Sequence, residues 1–555
     1  MQDSAASGHR VVDHIVGHLA AGGVGHIFGV DGANIEDLYD AAFFRDDITA
    51  VVAKHEFSAA AMADGYSRSG AGLGVFATTS GGGCLNAVPG LGESLASRVP
   101  VLALIGQAPT TLDGRGAFQD TSGVDGALDA VALFSAVSVY CRRVLTAADI
   151  LTALPEAMAA AARGGPAVLL LPKNIQQAAL DVPDDRAVDV MGPPTTVSDP
   201  SPLIDALRNA DGPVTIIAGE QVARDDARAE LERLRTVLRA SVATVPDALD
   251  VVTEPVGVCG VMGHPNVVAA AARSAICVLV GTRMPVTARA GLDDVLATVP
   301  TYSIGSAPPY TPCTHVHSDD LRRSLSTLAA AMSGDSAVAP DPLPRSELQP
   351  PPEHGAGVRY RDAMSVLDSV LPGGTDIVVD AGNIGASAIH YLPARRDGRY
   401  LVALGMGGMG YSFGAGIGMA FHRGRRTVVV AGDGSFFMHG MEIHTAVQYR
   451  LPITFLLFDN HAHAMCVTRE QLFYGDRYSY NRFGHSRLGA GLAAMFPGLV
   501  ALDVTDVAQL PAALRIALDC DGPSVVGIDC SPDEIPPFAA FLTTKEESRV
   551  TACAH

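Results

Sequence analysis

The segment Val428–Ser435, which reads Val-Val-Val-Ala-Gly-Asp-Gly-Ser, decides the fold class of this 555-residue chain. Its apolar run predicts a buried strand of a parallel sheet, and the glycines around Asp433 predict a turn into a helix near Ser435. In open α/β sheets, ligands bind at the carboxyl ends of strands, and helix N-termini favour phosphate. A carboxylate that faces phosphate needs a bridging cation, so Asp433 indicates Mg²⁺ between the turn and a diphosphate. Taken alone, the turn is equally well explained by an aspartate that caps a helix.

A second apolar run, at 453–458, is followed after one residue by Asn460. Asn460 lies 27 positions after Asp433, which corresponds to one strand–helix–strand unit. Both side chains are therefore expected at the same edge of one sheet, where they can share an ion. A dinucleotide-binding fingerprint is excluded, because Phe437 stands where that pattern requires glycine.

Apolar runs alternate with alanine-rich helical stretches along the chain, which predicts an α/β fold of three doubly wound parallel-sheet domains. The predicted strands include 75–78, 101–105, 168–171, 214–218, 277–280, 377–379, 427–431 and 453–458, and a helix with a charged face is predicted at 225–238. The predicted bounds are 1–188 for an N-terminal domain, 198–335 for a central domain, 336–356 for a proline-rich linker, 357–545 for a C-terminal domain and 546–555 for a tail.

The composition is acidic and poor in lysine. The net charge is −20, and the chain has only three lysines, Lys54, Lys173 and Lys545, which argues against a nucleic-acid or anionic-membrane partner. None of these lysines precedes Ser or Thr, so a phosphate-binding P-loop is excluded. The nine cysteines form no C-x-x-C pair, which indicates reduced thiols. The sequence shows no signal-peptide pattern and no long apolar span, so a cytoplasmic location is expected.

Gly432-Asp433-Gly434 followed by Asn460 resembles the diphosphate–Mg²⁺ motif of thiamine-diphosphate enzymes. The resemblance implies that Asp433, the Asn460 side chain and the Ala462 backbone carbonyl bind Mg²⁺. It also implies thiamine diphosphate as the cofactor, with pyrimidine-binding, central and diphosphate-binding domains in this order.

Other segments resemble the same family over nearly the whole chain, and together their order and spacing carry the resemblance. Two of them, 470–474 and 535–538, are similar to acetolactate-synthase-type members. The remaining ones are 54–68, 78–86, 114–119, 172–176 and 405–410.

The resemblance implies catalytic roles for several side chains. Glu56 is implied as the partner of the cofactor's pyrimidine nitrogen, which promotes removal of the thiazolium C2 proton. Gln119 is implied to face the substrate, and Lys173 to lie near the substrate carboxylate or the cofactor. His461 and His463 flank the metal-binding carbonyl and are candidates for proton transfer. Without the resemblance, Glu56 is an ordinary surface carboxylate, Lys173 a surface lysine and Gln119 a loop residue.

The cofactor contacts are implied in the same way. Met409 resembles the bulky apolar residue that holds the cofactor bent, although a gap-filling core methionine is the alternative. Gly382 and Asn383 resemble a second diphosphate contact. The implied cofactor-binding residues are Glu56, Asn86, Gly382, Asn383, Gly407, Met409, Gly432, Gly434, Ser435 and Met465.

Some residues depart from the family pattern. Asp31 stands where synthases have proline, which is a benzaldehyde-lyase-like feature, and Asp459 replaces the first of two paired asparagines. Residues 281–283 are similar to a flavin-contacting stretch, but the following residues diverge, so the sequence does not support bound FAD.

The resemblance therefore predicts a carboligase that decarboxylates a pyruvate-like 2-oxo acid and adds the acyl carbanion to a second carbonyl compound. One alternative is a 2-oxo acid decarboxylase, or an acyloin or aldehyde lyase, and a second is a non-catalytic relative. The partners expected are small molecules, and a homodimer or homotetramer is implied because these enzymes place the cofactor between different subunits.

Overall fold

Three parallel β-sheets form the framework of the protein. The computed structural model describes residues 9–180, 195–334, 338–352 and 355–542. The sheets have six, five and six strands, and all the ladders between their strands are parallel. This confirms the predicted fold class. The predicted domain bounds at 188, 335 and 545 and the tail at 546–555 lie outside the described residues.

The first sheet has the strand order β2-β1-β3-β4-β6-β5. Its strands are β1 (His26–Val30), β2 (Thr49–Val52), β3 (Gly74–Thr78), β4 (Val101–Gln107), β5 (Tyr140–Arg143) and β6 (Pro166–Pro172). Its α-helices are α1 (Val11–Ala21), α2 (Glu36–Phe43), α3 (Glu56–Tyr66), α4 (Gly82–Ala96), α5 (Ala130–Ser135), α6 (Ile150–Ala162) and α7 (Lys173–Gln176). A π-helical turn at Ser67–Ala71 and short 3₁₀-helices at Thr110–Leu112 and Ala147–Asp149 complete this part.

The central sheet has the order β11-β10-β9-β7-β8. Its strands are β7 (Val214–Ala218), β8 (Ser241–Thr244), β9 (Ile276–Val280), β10 (Thr301–Gly305) and β11 (Thr314–His317). Its helices are α8 (Ser201–Arg208), α9 (Gln221–Arg224), α10 (Arg228–Leu238), α11 (Pro265–Ala272), α12 (Val286–Arg289), α13 (Asp293–Thr298) and α14 (Leu321–Ala331).

The third sheet repeats the strand order of the first, with β13-β12-β14-β15-β17-β16. Its strands are β12 (Asp376–Val379), β13 (Tyr400–Val402), β14 (Thr427–Gly432), β15 (Ile453–Asp459), β16 (Val500–Val504) and β17 (Ser524–Asp529). Its α-helices are α15 (Tyr360–Val370), α16 (Asn383–Tyr391), α17 (Tyr411–Arg423), α18 (Asp433–His439), α19 (Ile443–Gln448), α20 (Ala464–Tyr474), α21 (Leu488–Met495), α22 (Leu510–Asp519) and α23 (Ala539–Leu542). Short 3₁₀-helices lie at Gly440–Glu442 and Val507–Gln509.

Each of the eight predicted strands lies within an observed strand, but two predicted helix starts are displaced. Helix α18 begins at Asp433, two residues before Ser435, so β14 passes directly into the helix. Helix α10 begins at Arg228 and not at 225, because Asp226 adopts a left-handed conformation with φ of 50°, which ends the preceding helical turn.

Helices α3 and α17 join the first and third sheets into one core. The helices approach so closely that a Cβ on Gly65 would lie 2.3 Å from the Ala415 carbonyl oxygen. A Cβ on Gly418 would similarly lie 2.0 Å from the Met62 carbonyl oxygen. Glycine is therefore required at these positions, and the contact fixes the loops at the ends of both sheets relative to each other.

Among the described residues, no helix is both long enough and apolar enough to cross a membrane. The eight cysteines in the described ranges are all free thiols.

Candidate active site

The loops at the carboxyl edge of the third sheet hold most of the predicted site. Strand β13 lies on one side of β12, whereas β14 lies on the other, so the chain changes direction between β12 and β14. In open parallel sheets, such a switch point opens a crevice for ligands. Helix α18 begins directly after β14, and helices α16 and α20 follow β12 and β15 after three and four intervening residues, so three helix N-termini lie at this edge.

Asp433 is buried with one carboxylate oxygen unpaired. Its side chain is 1% exposed, and Oδ2 accepts a hydrogen bond of 3.1 Å from the Ala462 amide. Oδ1 has no hydrogen-bond partner among the described residues. Burial and the neighbouring Asp459 carboxylate raise the pKa of Asp433 to about 7. A buried carboxylate with an unpaired oxygen is costly unless a cation binds it.

Asn460 meets Asp433 at the backbone of Ala462. The Ala462 amide donates to Asn460 Oδ1 at 3.2 Å as well as to Asp433, so the two side-chain oxygens face one position. Asn460 Nδ2 donates to the Tyr360 hydroxyl at 2.9 Å, which fixes the amide with its oxygen toward Asp433. The structure therefore brings together the three residues predicted to bind the metal.

Asp459 and His461 extend this group in a way that the sequence analysis did not foresee. One ligand atom each of Asp433, Asp459 and His461 lies within 4.8 Å of the others. His461 was predicted to transfer protons, and Asp459 was noted only as a departure from the family pattern. Asp459 follows the predicted buried strand 453–458 directly, and this position was the sequence signal for a role in the site.

The loop after β12 forms another part of the candidate site at this sheet edge. Gly382 has φ of 105° and open space around its α-carbon, and it caps helix α16. Asn383 is 2% exposed, and its Oδ1 has no partner in the described part of the chain. Asp380, which the sequence analysis missed, accepts hydrogen bonds from the Ser435 hydroxyl at 2.7 Å and from the Gly410 amide at 3.0 Å. It therefore ties together the loops that carry Met409 and Asp433.

Met409 lies over the Gly-Asp-Gly turn. A Cβ added to Gly434 would come within 3.1 Å of the Met409 methyl and within 2.6 Å of His463 Nδ1, so both side chains pack directly against this glycine. The His463 Nδ1 atom is buried and lacks a partner among the described side chains. Met409 is half-buried, Gly407 is exposed with a φ of 64°, and Met465 is half-buried in the first turn of α20.

Glu56 lies at the carboxyl edge of the first sheet, where it begins helix α3 after β2. Its side chain is 8% exposed, and Oε2 accepts a hydrogen bond of 3.0 Å from Asn86 Nδ2. A Cβ on Gly83 would lie 3.0 Å from Glu56 Oε1, and one on Gly81 would lie 2.7 Å from Gln119 Cγ. Glu56, Asn86 and Gln119 therefore lie around the glycine-rich start of helix α4.

Lys173 contacts groups other than Glu56. Its Nζ donates to the Ala33 carbonyl at 2.7 Å and forms an ion pair with Glu36. Glu36 is 56% exposed, so this ion pair is at the surface. The structure thus places Lys173 at the edge of the first sheet, with its charge already paired.

Comparison with known proteins identifies this arrangement. Residues 9–127 match the N-terminal TPP binding domain of thiamine pyrophosphate enzymes, residues 201–302 match their central domain, and residues 380–528 match their C-terminal TPP binding domain. The chain belongs to the thiamine pyrophosphate enzymes. Thiamine pyrophosphate is the same molecule as the thiamine diphosphate predicted from the sequence, and the three matched domains correspond to the three sheets.

Relatives of this thiamine pyrophosphate enzyme extend over nearly the full chain. A probable acetolactate synthase large subunit of Methanocaldococcus jannaschii is 27% identical and covers 97% of this chain and 95% of the relative. The acetolactate synthase isozyme 2 large subunit of Escherichia coli is 26% identical, with 95% and 97% covered. The chloroplastic acetolactate synthase 3 of Brassica napus is 26% identical, with 94% and 84% covered.

Within this thiamine pyrophosphate enzyme, the two sheet edges approach each other at His439. Its ring lies 4.4 Å from that of Phe57, the residue after Glu56, and 4.9 Å from that of His55. A Cβ on Gly410 would lie 2.7 Å from the same imidazole. Burial lowers the pKa of His439 to about 4, and His55 contributes to the shift.

A cavity of mixed charge lies beside the flavin-like stretch of the central sheet. Residues 281–283 line a cavity of about 420 Å³ at the carboxyl edge of this sheet. The cavity combines the guanidinium groups of Arg98, Arg224 and Arg283 with the carboxylates of Glu220 and Asp247. Burial raises the pKa of both carboxyl groups. Arginines and carboxyl groups therefore both line this cavity, and we assign no role to FAD.

Proposed function

We propose that this enzyme is a thiamine-diphosphate- and divalent-cation-dependent carboligase of the acetolactate synthase type. It would decarboxylate a pyruvate-like 2-oxo acid and join the acyl carbanion to a second carbonyl compound. The unpaired Asp433 oxygen beside Asn460, at the switch point of the third sheet, is the observation that carries the proposal. The near full-length similarity to acetolactate synthase large subunits supports the choice of reaction.

The third sheet edge would bind the diphosphate. Asp433, Asn460 and the Ala462 carbonyl would hold the cation, for which the sequence predicts Mg²⁺, and hard cations accept all three of these oxygen ligands. Gly382, Asn383, Gly432, Gly434 and Ser435 would contact the diphosphate where helices α16 and α18 begin. Gly407 and Met465 complete the predicted cofactor contacts.

The residues at the first sheet edge would contact the reactive, ring-bearing part of the cofactor. When bound, thiamine diphosphate supplies a nucleophilic carbon and an electron sink for bonds next to a carbonyl group. Glu56 would hold a proton against the pyrimidine ring, and Asn86 would fix the orientation of the Glu56 carboxylate through its hydrogen bond. Met409 would pack against the cofactor and hold it in its bent conformation.

The substrate side would include Gln119, Lys173, His461 and His463. Gln119 lies against the start of helix α4, which also contacts Glu56, and this supports a position near the reacting carbonyl. His463 lies at Gly434 with an unpaired nitrogen, which supports proton transfer to or from the substrate. For Lys173 to contact the substrate carboxylate or the cofactor, its ion pair with Glu36 must first break.

We also propose a homodimer or homotetramer in which the cofactor lies between two chains. Exposed apolar side chains at the rims of both edges support this assembly. Leu85 is 44% exposed beside Asn86, and Phe437 and Met438 are 54% and 50% exposed beside the Gly-Asp-Gly turn. Light scattering after size-exclusion chromatography of the cofactor-loaded protein should give a mass of at least two chains, and a monomer would contradict the assembly.

The reaction is tested by incubating the purified protein with pyruvate, thiamine diphosphate and a divalent cation, with and without an acceptor aldehyde. Carboligation predicts a hydroxyketone or acetolactate as the product, identified by NMR. Acetaldehyde alone would favour the decarboxylase or lyase alternative, and absence of turnover in protein that binds the cofactor would favour the non-catalytic alternative. The cytoplasmic location stays a prediction from the sequence.

A further inference from the structure

A cavity of about 880 Å³ lies between the central and third sheets, and its size is typical of sites for small ligands. Its walls come from the start of α10, the loop 249–258 after β8 and the loop 392–399 between α16 and β13. Arg399 directly precedes β13, and Arg423 lies four residues before β14, so the third sheet contributes its amino edge. The Gly-Asp-Gly turn lies at the opposite, carboxyl edge, so the cavity is separate from the candidate active site.

Arginine side chains dominate the charge of this cavity. Its walls include six arginines but only four carboxyl side chains, in a chain whose net charge is −20. The arginines are Arg228, Arg345, Arg395, Arg396, Arg399 and Arg423. A concave site with an excess of positive charge on an acidic protein favours an anionic ligand.

Ion pairs of four of these arginines fix the walls. Arg228 and Arg399 share the carboxylate of Asp250, whose side chain is 1% exposed. The other pairs are Arg395 with Asp368 and Arg423 with Asp376. Because these contacts connect α10 to the loops on either side, the cavity is preorganised for binding.

The other two arginines have weaker partners. Arg345, in the proline-rich segment 338–352, donates to His264 Nε2 at 2.9 Å and to the His390 carbonyl at 3.3 Å, and it forms no ion pair with a described residue. Partial burial lowers the pKa of Arg345, as expected where the charge of a guanidinium is incompletely compensated. The Arg396 side chain is 85% exposed, and its Nε lies 3.9 Å from the exposed Asp397 carboxylate.

Apolar side chains lie beside these guanidinium groups. Val251, Val252 and Leu392 are among the lining residues, so a fitting ligand combines an anionic group with an apolar body. A phosphate monoester carries a charge of about −1.5 to −2 at pH 7 and offers three acceptor oxygens to arginine. A monocarboxylate carries half that charge or little more, so two arginines match the phosphate better.

We propose that the cavity between the central and third sheets binds a small organic phosphate monoester with an apolar body, held by Arg345 and Arg396. The bound molecule would connect the proline-rich segment to both sheets. The proposal goes beyond the proposed function, because this cavity contains none of the residues assigned to the cofactor or the substrate.

The test measures binding of phenyl phosphate, with inorganic phosphate and benzoate as probes of its two parts. Calorimetric titration uses the full chain saturated with thiamine diphosphate and Mg²⁺, so that the proposed diphosphate site is occupied. We expect phenyl phosphate to bind about tenfold more tightly than either simpler probe, because only phenyl phosphate satisfies both the arginines and the apolar wall.

Two substitutions examine the arginines separately. Arg345→Gln should weaken the binding of phenyl phosphate by about tenfold, and Arg396→Gln by about threefold, since Arg396 is more exposed. Arg322→Gln is the matched control, because Arg322 is an exposed arginine of the central domain whose partner is Asp226. Arg345 also contacts two histidines, so thermal unfolding checks that its variant is folded, and the exposed Arg396 gives a variant that should not affect folding.

Hydrogen–deuterium exchange locates the bound probe. Phenyl phosphate should protect 249–258 and 392–399, whereas protection confined to 380–383 and 432–435 would place it at the diphosphate site and overturn the proposal. Absence of binding, equal affinities in the wild type and both cavity variants, or benzoate binding as tightly as phenyl phosphate would also overturn it. A chain that fails to bind thiamine diphosphate would contradict the proposed function, but the comparison of Arg345→Gln with Arg322→Gln would stay valid.

Discussion

The first and third sheets have the same strand order, but the polar groups at their carboxyl edges are in different states. At the first edge, Glu56 accepts a hydrogen bond from Asn86, and Lys173 is paired with Glu36. At the third edge, Asp433 and Asn383 each retain a buried oxygen without a partner in the described residues. The shared topology places loops at equivalent positions, so the difference arises from the residues in those loops.

This difference suggests a division of roles between the two edges. A buried polar group with its partners in place is ready to orient or transfer a proton. A buried polar group that lacks a partner is stabilised when a ligand binds it. We therefore propose that the first edge supplies the proton-holding Glu56, and that the third edge binds the cation and diphosphate and holds His463 for proton transfer.

The largest effect is expected at the first edge. Glu56→Gln should lower the maximal rate by about 100-fold or more, because the amide cannot hold the required proton, while cofactor affinity stays within about threefold. Steady-state kinetics over a range of cofactor concentrations separates the two quantities. Glu156→Gln, which replaces an exposed glutamate of the same domain, serves as the control. Recovery of the wild-type rate at high cofactor concentration would instead make Glu56 a binding residue.

The next effect concerns the third edge. Asp433→Asn should weaken cofactor affinity by about tenfold or more, since it removes a charged ligand of the cation. The same substitution should stabilise the metal-free protein by about 1–3 kcal/mol at pH 8, because a buried, unpaired carboxylate is replaced by a neutral amide. Denaturant unfolding after chelator treatment measures this change. A less stable metal-free variant would show that Asp433 is satisfied without a ligand.

A smaller effect is expected at His439, where the edges meet. The pKa of about 4 in the folded protein lies below the unfolded value of about 6.5, so the unfolded chain takes up the proton first. Stability should therefore be complete above about pH 6.5 and fall as the pH decreases toward 4. Thermal unfolding across this range should show a shallower pH dependence in His439→Gln. The exposed His444, substituted to Gln, provides the comparison, and equal slopes in all three proteins would refute the assignment.

The smallest effect is expected for the surface pair at the first edge. Lys173→Gln and Glu36→Gln should each change the free energy of unfolding by less than about 1 kcal/mol, as is usual for exposed ion pairs. If Lys173 contacts the substrate carboxylate, only its substitution should raise the KM for the 2-oxo acid severalfold. Equal KM values in both variants would leave Lys173 with a structural role alone.

The sequence was sufficient to predict the local features of the fold and of the third edge. Apolar runs marked the strands, and the spacing between Asp433 and Asn460 placed both at one edge. It could not predict the role of Asp380, because that carboxylate accepts hydrogen bonds from Gly410, Ser412 and Ser435, which are distant in the chain. The same holds for Asp529, which orients His461 from 68 positions away.

We propose that the first edge of one chain and the third edge of its partner act on a single cofactor. The most direct test is complementation between Glu56→Gln and Asp433→Asn, produced together with different tags and purified as the mixed oligomer. If each site is shared between chains, a mixed dimer has two sites. One of them carries both substitutions, and the other carries neither. We predict activity at least tenfold above that of either parent variant. A purified mixed oligomer no more active than its parents would contradict the claim, because a site built within one chain cannot be restored in this way.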